Sequence, residues 1–283
     1  MAELKNTVIN DTGAINLPSG TTAQRPTNPP PGSMRFNTDE GYTECYYRGF
    51  WFDLASGRGL PVFDSLHFLL DASIPESTDG TTGFRWRSIA DLAGRNFDFY
   101  GTPTHTSNGN QSYWSFNESN HATCENVCAT DYVTVEMVYR KTSNNPEDIL
   151  INKENTWETK TDTDTFQWAV YTSDRSWFWS NSGNTTRNEW YVATIVYDAN
   201  NVKSYVNGRR RQIDSGYNNG ILANQTSAYP KINARGNARD ARENPGQHDV
   251  AYVAMYDRAL DDFEINRNFT ALAERFNLDS PYN

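Results

Sequence analysis

Cysteine is scarce in this chain, and what there is excludes a disulfide framework. Of 283 residues only Cys45, Cys124 and Cys128 are cysteines. An odd number with no secretory leader before it fits reduced thiols in a cytosolically made protein. Long apolar runs are missing too. No stretch approaches the roughly 18 residues of a membrane helix, and the opening MAELKNTVIND has no apolar signal core. The expectation is a soluble protein that reaches any extracellular place by a route other than classical secretion. Positive charge is also short: 25 Lys and Arg face 35 Asp and Glu, a formal net charge of -10. The basic patch that nucleic acid or an anionic membrane needs is therefore not expected, and neither is a partner of this chain. His67, His105 and His248 stand alone among turn or strand residues, with no Ser or Cys placed as a triad nucleophile. No GxxxxGK[ST] phosphate loop is present.

Aromatic residues are plentiful, with 8 Trp, 16 Tyr and 14 Phe making up 13% of the chain. Charged residues are 21%, and much of the remaining polarity comes from Asn, Thr, Ser and Gly. Such a mixture is too aromatic for disorder and suits short strands joined by polar loops.

The stretch from Trp190 to Arg209, WYVATIVYDANNVKSYVNGR, organises the rest. Trp190 to Tyr197 is β-branched and aromatic throughout, as in a strand buried on both faces. Asp198 to Asn201 is turn chemistry, and Val202 to Val206 reads as the return strand. Asn207-Gly208 then supplies the two positive-φ residues of a tight hairpin turn. Further strands are expected at Leu66 to Asp71, Phe84 to Ile89, Asn96 to Tyr100, Tyr113 to Asn117 and Asp131 to Arg140. Others follow at Ile149 to Lys153, Phe166 to Tyr171, Ser176 to Ser180, Pro230 to Ala234 and Asp249 to Tyr256. So many strands, with helix confined to the end, imply an all-β sandwich or jelly roll. In the terminal helix Asp261 caps and Glu264 reaches back, while Ile265, Phe269, Leu272 and Phe276 form one apolar stripe.

Residues 1–58 form a separate small module. The prolines between Pro26 and Pro31 require an extended path. Ser33 to Asn37 and Tyr42 to Arg48 read as a hairpin, with Phe50 to Phe52 a third strand. A unit of this size buries little and is expected to borrow a partner's surface. Its pattern is Leu17-Pro18, Gly20-Thr21-Thr22-Ala23-Gln24-Arg25-Pro26, Pro31-Gly32, Met34-Arg35-Phe36-Asn37-Thr38, Gly41, Glu44, Tyr46 or Tyr47, Gly49 and Trp51. This order resembles an N-terminal module of tailed-bacteriophage fibre, tail and head-decorating proteins. The resemblance implies attachment to the virion through Leu17, Pro18, Gln24, Arg25, Pro26, Arg35, Phe36, Asn37 and Trp51.

Ser56 to Pro61 reads as a boundary. Beyond it, three passages resemble a concanavalin A-like (laminin G-like) jelly roll. They are Leu69-Leu70-Asp71-Ala72 with Trp86 to Gly101, the Trp190 to Gly208 hairpin, and Ala254-Met255-Tyr256-Asp257-Arg258-Ala259-Leu260 with its helix. The resemblance covers about residues 60–279. It implies a concanavalin A-like jelly-roll sandwich with one C-terminal helix over residues 59–279, preceded by the small extended and β-hairpin module, with residues 280–283 a tail.

That fold hosts both hydrolases and lectins, so function must come from a site. Glycoside hydrolysis needs two carboxylates held across a cleft, and no strand carries them at alternate positions. Asp162, Asp164, Asp261 and Asp262 fit turn or cap roles, and no catalytic residue is assigned. His121, Cys124 and Cys128 offer three ligands where structural zinc wants four, so buried thiols are the plainer reading. No metal is assigned. Calcium, which the fold family often holds, has Asp162, Asp164 and Asp174 available with nothing to fix their geometry. The Arg209 to Arg211 triplet fits a solvated edge or an interface pairing rather than nucleic acid. For ligand contact the best stretch is Thr172 to Asn181. Trp177 and Trp179 alternate onto one face beside Asp174 and Asn181, as in a sugar-stacking platform. A place in the sandwich core is the plainer reading of the two tryptophans. Trp157 is expected in an exposed polar loop and is the other candidate surface aromatic.

Taken together, these features imply a non-enzymatic structural protein of a tailed-phage virion, made in the host cytoplasm, in a head or tail fibre or decorating the capsid. Its N-terminal module would dock on capsid or tail protein, the expected assembly is a homotrimer, and the displayed jelly roll would contact a host glycan. The alternative is a carbohydrate-active enzyme or tailspike depolymerase.

Overall fold

A computed structural model describes residues 13–27, 29–47, 50–54, 62–74, 77–78, 84–90, 95–108, 111–124, 132–171, 177–198, 201–215 and 228–279. The chain divides into two compact units, Met1–Arg58 and Gly59–Asn283.

The first unit is one small sheet of four strands. β1 (Ser19–Gly20) runs parallel to β2 (Met34–Asn37), and β3 (Tyr42–Tyr47) and β4 (Phe50–Asp53) follow antiparallel. The β2–β3 turn closes on Gly41 at φ 74°, a left-handed value that costs glycine nothing. Asn37 Oδ1 accepts from the Asp39 and Glu40 amides and tightens the turn. The alternation in β2 is inverted: Met34 and Phe36 are exposed, while Arg35 and Asn37 are buried. What lies inside this unit is therefore an ionic network. Glu44, fully buried, takes Arg25 Nη2 at 2.6 Å, Arg35 Nε at 3.5 Å and Asn37 Nδ2 at 3.1 Å. A buried carboxylate is tolerable only when paired in this way.

The second unit contains two eight-stranded sheets. Its strands are β5 (Leu66–Asp71), β6 (Arg85–Arg87), β7 (Asn96–Tyr100), β8 (Thr104–Thr106), β9 (Tyr113–Phe116), β10 (His121–Cys124), β11 (Tyr132–Lys141) and β12 (Glu147–Lys153). They continue as β13 (Trp157–Asp162), β14 (Thr165–Tyr171), β15 (Trp177–Asn184), β16 (Trp190–Asp198), β17 (Asn201–Val206), β18 (Arg209–Ser215), β19 (Pro230–Ile232) and β20 (His248–Tyr256). One sheet runs β15-β14-β13-β12-β19-β10-β7-β6 and the other β18-β17-β16-β11-β20-β9-β8, with β5 also on β20. Every strand pairing in both sheets is antiparallel. This is the expected jelly-roll sandwich. Asn207 and Gly208 sit at φ 51° and 70° in the β17–β18 turn, as that hairpin signal requires.

Between the sheets lies the apolar core. One sheet contributes Trp86, Phe97, Trp157, Phe166, Trp168 and Ile232, and the other Phe68, Trp114, Val135, Met137, Ile195 and Val253. β11 is buried on both faces. Val133, Val135, Met137 and Tyr139 face the core, and Thr134, Glu136 and Val138 are equally buried on the opposite side. That opposite side is covered by the α-helix α1 (Asp262–Phe276). Asp261 accepts from the Glu264 amide at 2.8 Å and Glu264 Oε2 accepts from the Asp261 amide at 3.1 Å, completing the capping box. Ile265, Phe269, Leu272 and Phe276 are all buried. A Cβ at Gly208 would sit 2.7 Å from the Phe269 ring, so the tight turn also lets the helix close down. Arg275 pins the far end through a two-point pair with buried Asp71, at 2.7 and 2.9 Å. Among the described residues no helix is long and apolar enough to cross a membrane.

In the larger unit four strands depart from the sequence expectation, β8, β10, β13 and β18, as β1 does in the smaller one. The first two are three and four residues long, too short for a periodic signal. In β13 and β18 the strand pattern is carried by Thr and charged residues rather than by aliphatic ones.

Beneath the helix, Glu136 accepts from Thr194 Oγ1 at 3.0 Å, while its Oε1 has no partner. Burial raises its pKa from 4.5 to about 7, against the hydrogen bonds of Thr194 and Asn268. The folded value lies above the unfolded one, so the wild-type protein loses stability as pH rises from 4.5 to about 7. Glu136→Gln keeps the hydrogen bond and removes the titration. Thermal denaturation should show little Tm difference between variant and wild type near pH 4.5. By pH 8 the variant should lead by about 2–8 °C.

Candidate functional site

Two surfaces gather the residues singled out from the sequence, one in each unit. In the larger unit it is the β15 edge of the first sheet. Pairing places Trp179 opposite Ala169 and, through it, Glu158, whereas Phe178 lies opposite Val170 and core Trp157. Since neighbours across a pleat share a face, Trp177 and Trp179 lie on the outer side of the sandwich. They do not belong to its core. All eight tryptophans fall within the described residues, and only Trp179 is exposed, at 39%. Its ring centroid is 5.9 Å from that of Trp177 at 31°, and Tyr171 stands edge-on to Trp177 at 5.3 Å. Lys160 Nζ lies 4.2 Å from the Trp179 centroid and pairs with Glu147 at 2.9 Å, which fixes the indole. Beyond the rings Gln167 Nε2 donates to Asn181 Oδ1 at 2.7 Å and to Asp162 Oδ2 at 3.2 Å. The result is an aromatic ledge followed by a row of amide and carboxylate groups. A flat apolar surface beside directed polar groups suits a sugar ring. Asp174 lies outside the described residues.

Trp157 is not on this ledge. It opens β13 at 1% exposure and packs in the core. The expected exposed loop is a strand because Trp157, Thr159 and Thr161 alternate inward while Glu158, Lys160 and Asp162 face outward. The period of two was present, masked by the polarity of the threonines.

A layer of buried polar groups covers the rest of that outer face. Lys231 Nζ donates to the Ala238 and Ala241 carbonyls at 2.5 Å each, and Asn152 Nδ2 donates to Glu158 Oε2 at 2.9 Å. Burial raises the Glu158 pKa from 4.5 to about 7. His121 stacks on Tyr100 at 4.8 Å and 9°, and burial lowers its pKa to about 4. Because His121 and Cys124 are three apart in β10, they point to opposite faces and do not converge on one ion. Cys124 is buried as a core thiol, and Cys128 lies outside the described residues. Among the described residues no three His, Cys, Asp or Glu side chains gather as a metal site. Asp162 instead takes Gln167, and Thr163 turns the chain at φ 52°.

In the small unit a cavity of about 770 Å³ is walled by Pro18, Pro26, Pro29 and Pro30, with Gln24, Met34, Arg35 and Trp51. Five residues of the attachment pattern thus converge: Pro18, Gln24, Pro26, Arg35 and Trp51. Of these Pro18, Gln24 and Pro26 are exposed. Arg25 and Asn37 instead support buried Glu44. Leu17 is half-buried and Phe36 is 39% exposed, and neither lines the cavity.

The two packed antiparallel sheets with a helix on one outer face define a concanavalin A-like jelly roll. Residues 108–266 match the family model described as the concanavalin A-like lectin/glucanases superfamily, and the chain belongs to that family. No curated protein matches the chain. Among solved structures it is similar to the binding domain of Paraclostridial Mosquitocidal Protein 1, with TM-score 0.57 and 14% identity over 73% of this chain and 52% of that one. It is also similar to the binding domain of Botulinum Neurotoxin DC in complex with SialylT, with TM-score 0.56 and 12% identity over 75% and 52%. The chain spans about half the length of these structures, and at such identity the likeness concerns the fold.

Core and ledge tryptophans should separate in urea denaturation. Trp157→Ala is expected to cost about 3–5 kcal/mol through the cavity it leaves. Trp179→Ala should cost less than about 1 kcal/mol.

Proposed function

We propose that this chain is a non-enzymatic structural protein of a tailed-phage virion. Its small unit docks on the particle, and its jelly roll is displayed outward and holds host-surface glycans on the Trp177–Trp179 ledge. The observation that carries the glycan reading is Trp179, the one exposed tryptophan in a chain that hides or half-hides the other seven. An indole is left in water at a sheet edge, held from one side by Lys160 and flanked by Asn181 and Gln167. The two fold neighbours named above are binding domains, and another is described as a ligand binding domain in complex with N-Acetylneuraminic acid, which supports a binding role for this jelly roll.

The attachment half of the reading rests on the N-terminal pattern and on the inverted β2, which leaves Met34 and Phe36 in water. Exposed apolar side chains on a small sheet call for a partner surface. A trimer is the assembly expected of such a module.

The full chain applied to a glycan array should bind a defined set of sugars. Trp179→Ala should weaken that binding about 3–10-fold, the worth of one stacking contact, while lowering Tm by no more than about 4 °C. Array signals unchanged by Trp179→Ala would remove the ledge from the reading, and release of reducing sugar from a bound polysaccharide would reassign the protein to the enzymes. Cryo-electron microscopy of the intact particle tests the docking half, with residues 1–58 expected to be ordered against capsid or tail protein.

A further inference from the structure

The small-unit cavity carries an unspent charge. Glu44 is the only described carboxylate paired with either guanidinium there, yet both Arg25 and Arg35 pair with it. Both guanidinium groups share this one described anion, and Arg35 is nearly buried while Arg25 keeps 26% exposure, so the charge on Arg35 is the less screened of the two. Arg35 is 5% exposed, and its nitrogens are unequally used. Nε faces Glu44 at 3.5 Å and Nη2 donates to the Thr21 carbonyl at 3.0 Å. Nη1 is buried with no partner. An orphan guanidinium nitrogen in a well-packed protein marks either a cost or a place for a ligand.

The surroundings are built around this arginine. A Cβ at Gly20 would lie 2.7 Å from Arg35 Nη2 and 2.8 Å from Gln24 Oε1, so a larger residue there would displace the ends of both side chains. The guanidinium carbon stands 5.9 Å from the Trp51 ring centroid. Prolines form the facing wall, and Pro18 and Ser19 bring the open edge of β1 to the rim. A strand edge beside an aromatic and prolyl trough is how extended peptides are held.

We propose that the cavity receives an acidic side chain, Asp or Glu, from an extended peptide of the particle protein on which the small unit docks. Its carboxylate accepts from Arg35 Nη1, and the flanking residues lie on Trp51 and the prolines. This rests on the attachment reading and supplies its chemistry, since the carboxylate balances the second arginine that Glu44 leaves over.

The full chain labelled with 5-fluorotryptophan gives one 19F signal per indole, and Trp51→Phe identifies that of Trp51. The probe is acetyl-Pro-Glu-Pro-amide, with acetyl-Pro-Gln-Pro-amide as its uncharged counterpart. The Trp51 signal should shift saturably with the Glu peptide and at least tenfold more weakly with the Gln peptide. Met34→Glu sets a competing carboxylate on an exposed wall without touching the Arg35–Glu44 pair, and should abolish the shift. Equal response to both peptides, or none, overturns the proposal, as does a preferred response to glucuronate, which would make the ligand an acidic sugar. If Met34→Glu instead changes the sedimentation coefficient of the free protein, the occupant is a second copy of this chain. Particle composition separates the two readings. Wild-type chain present in particles and Met34→Glu chain lost from them supports both. Retention of the variant sinks the cavity alone, and a chain absent from particles that still binds the Glu peptide sinks attachment alone.

Discussion

The larger unit depends on the burial of β11 from both sides. Its inward residues fill the space between the sheets, and its outward ones are covered by α1. A strand so placed cannot shift by one residue. The exchange of Val135 with Glu136 would put a carboxylate among the core aromatics and a valine where Thr194 Oγ1 donates. β16 and β20 pair with it on either side through nine and eight residues. Through them the register passes to β5, β9 and β17, and α1 is placed by the face those strands present.

Both outer faces of the sandwich are closed, by different means. The helix seals one with an apolar stripe at Ile265, Phe269, Leu272 and Phe276, and adds Asn268, which donates to the Tyr256 hydroxyl at 3.0 Å. The other is sealed by chain around Asn233 to Gln247, held down by Lys231 and by the pair between Arg239 and Asp98. Buried polar groups there are satisfied chiefly by backbone carbonyls and each other, which fixes one arrangement of that segment. With both faces occupied, the β15 edge is where the fold leaves a tryptophan in water. The basic β18 edge, with Arg209, Arg210 and Arg211 exposed, is blunted by charge in the manner of strand edges that avoid pairing.

The small unit inverts the usual relation between polarity and burial. A sheet of four short strands cannot enclose an apolar core, and it organises instead around Glu44 and its arginines. Charged hydrogen bonds set the orientation of the proline-rich segment more sharply than apolar contact would. They also leave Met34 and Phe36 outside.

The sequence alone determined what depends on local chemistry. The β5 and β7 bounds, the Asn207-Gly208 turn, the Asp261–Glu264 capping box and the helix stripe were all legible, because each is settled within a few residues by dihedral preference or periodicity. The alternation of Trp177 and Trp179 was legible too. What could not be read was which side of the sandwich that face would meet, since an edge strand and a central strand can share one pattern. Trp157 shows the converse: its neighbours are polar, yet pairing with β14 carries it into the core. Burial of Arg35 rather than Phe36 likewise follows from Glu44 lying opposite it in β3. Exposure depends on which strands become neighbours, and only the tertiary structure decides that.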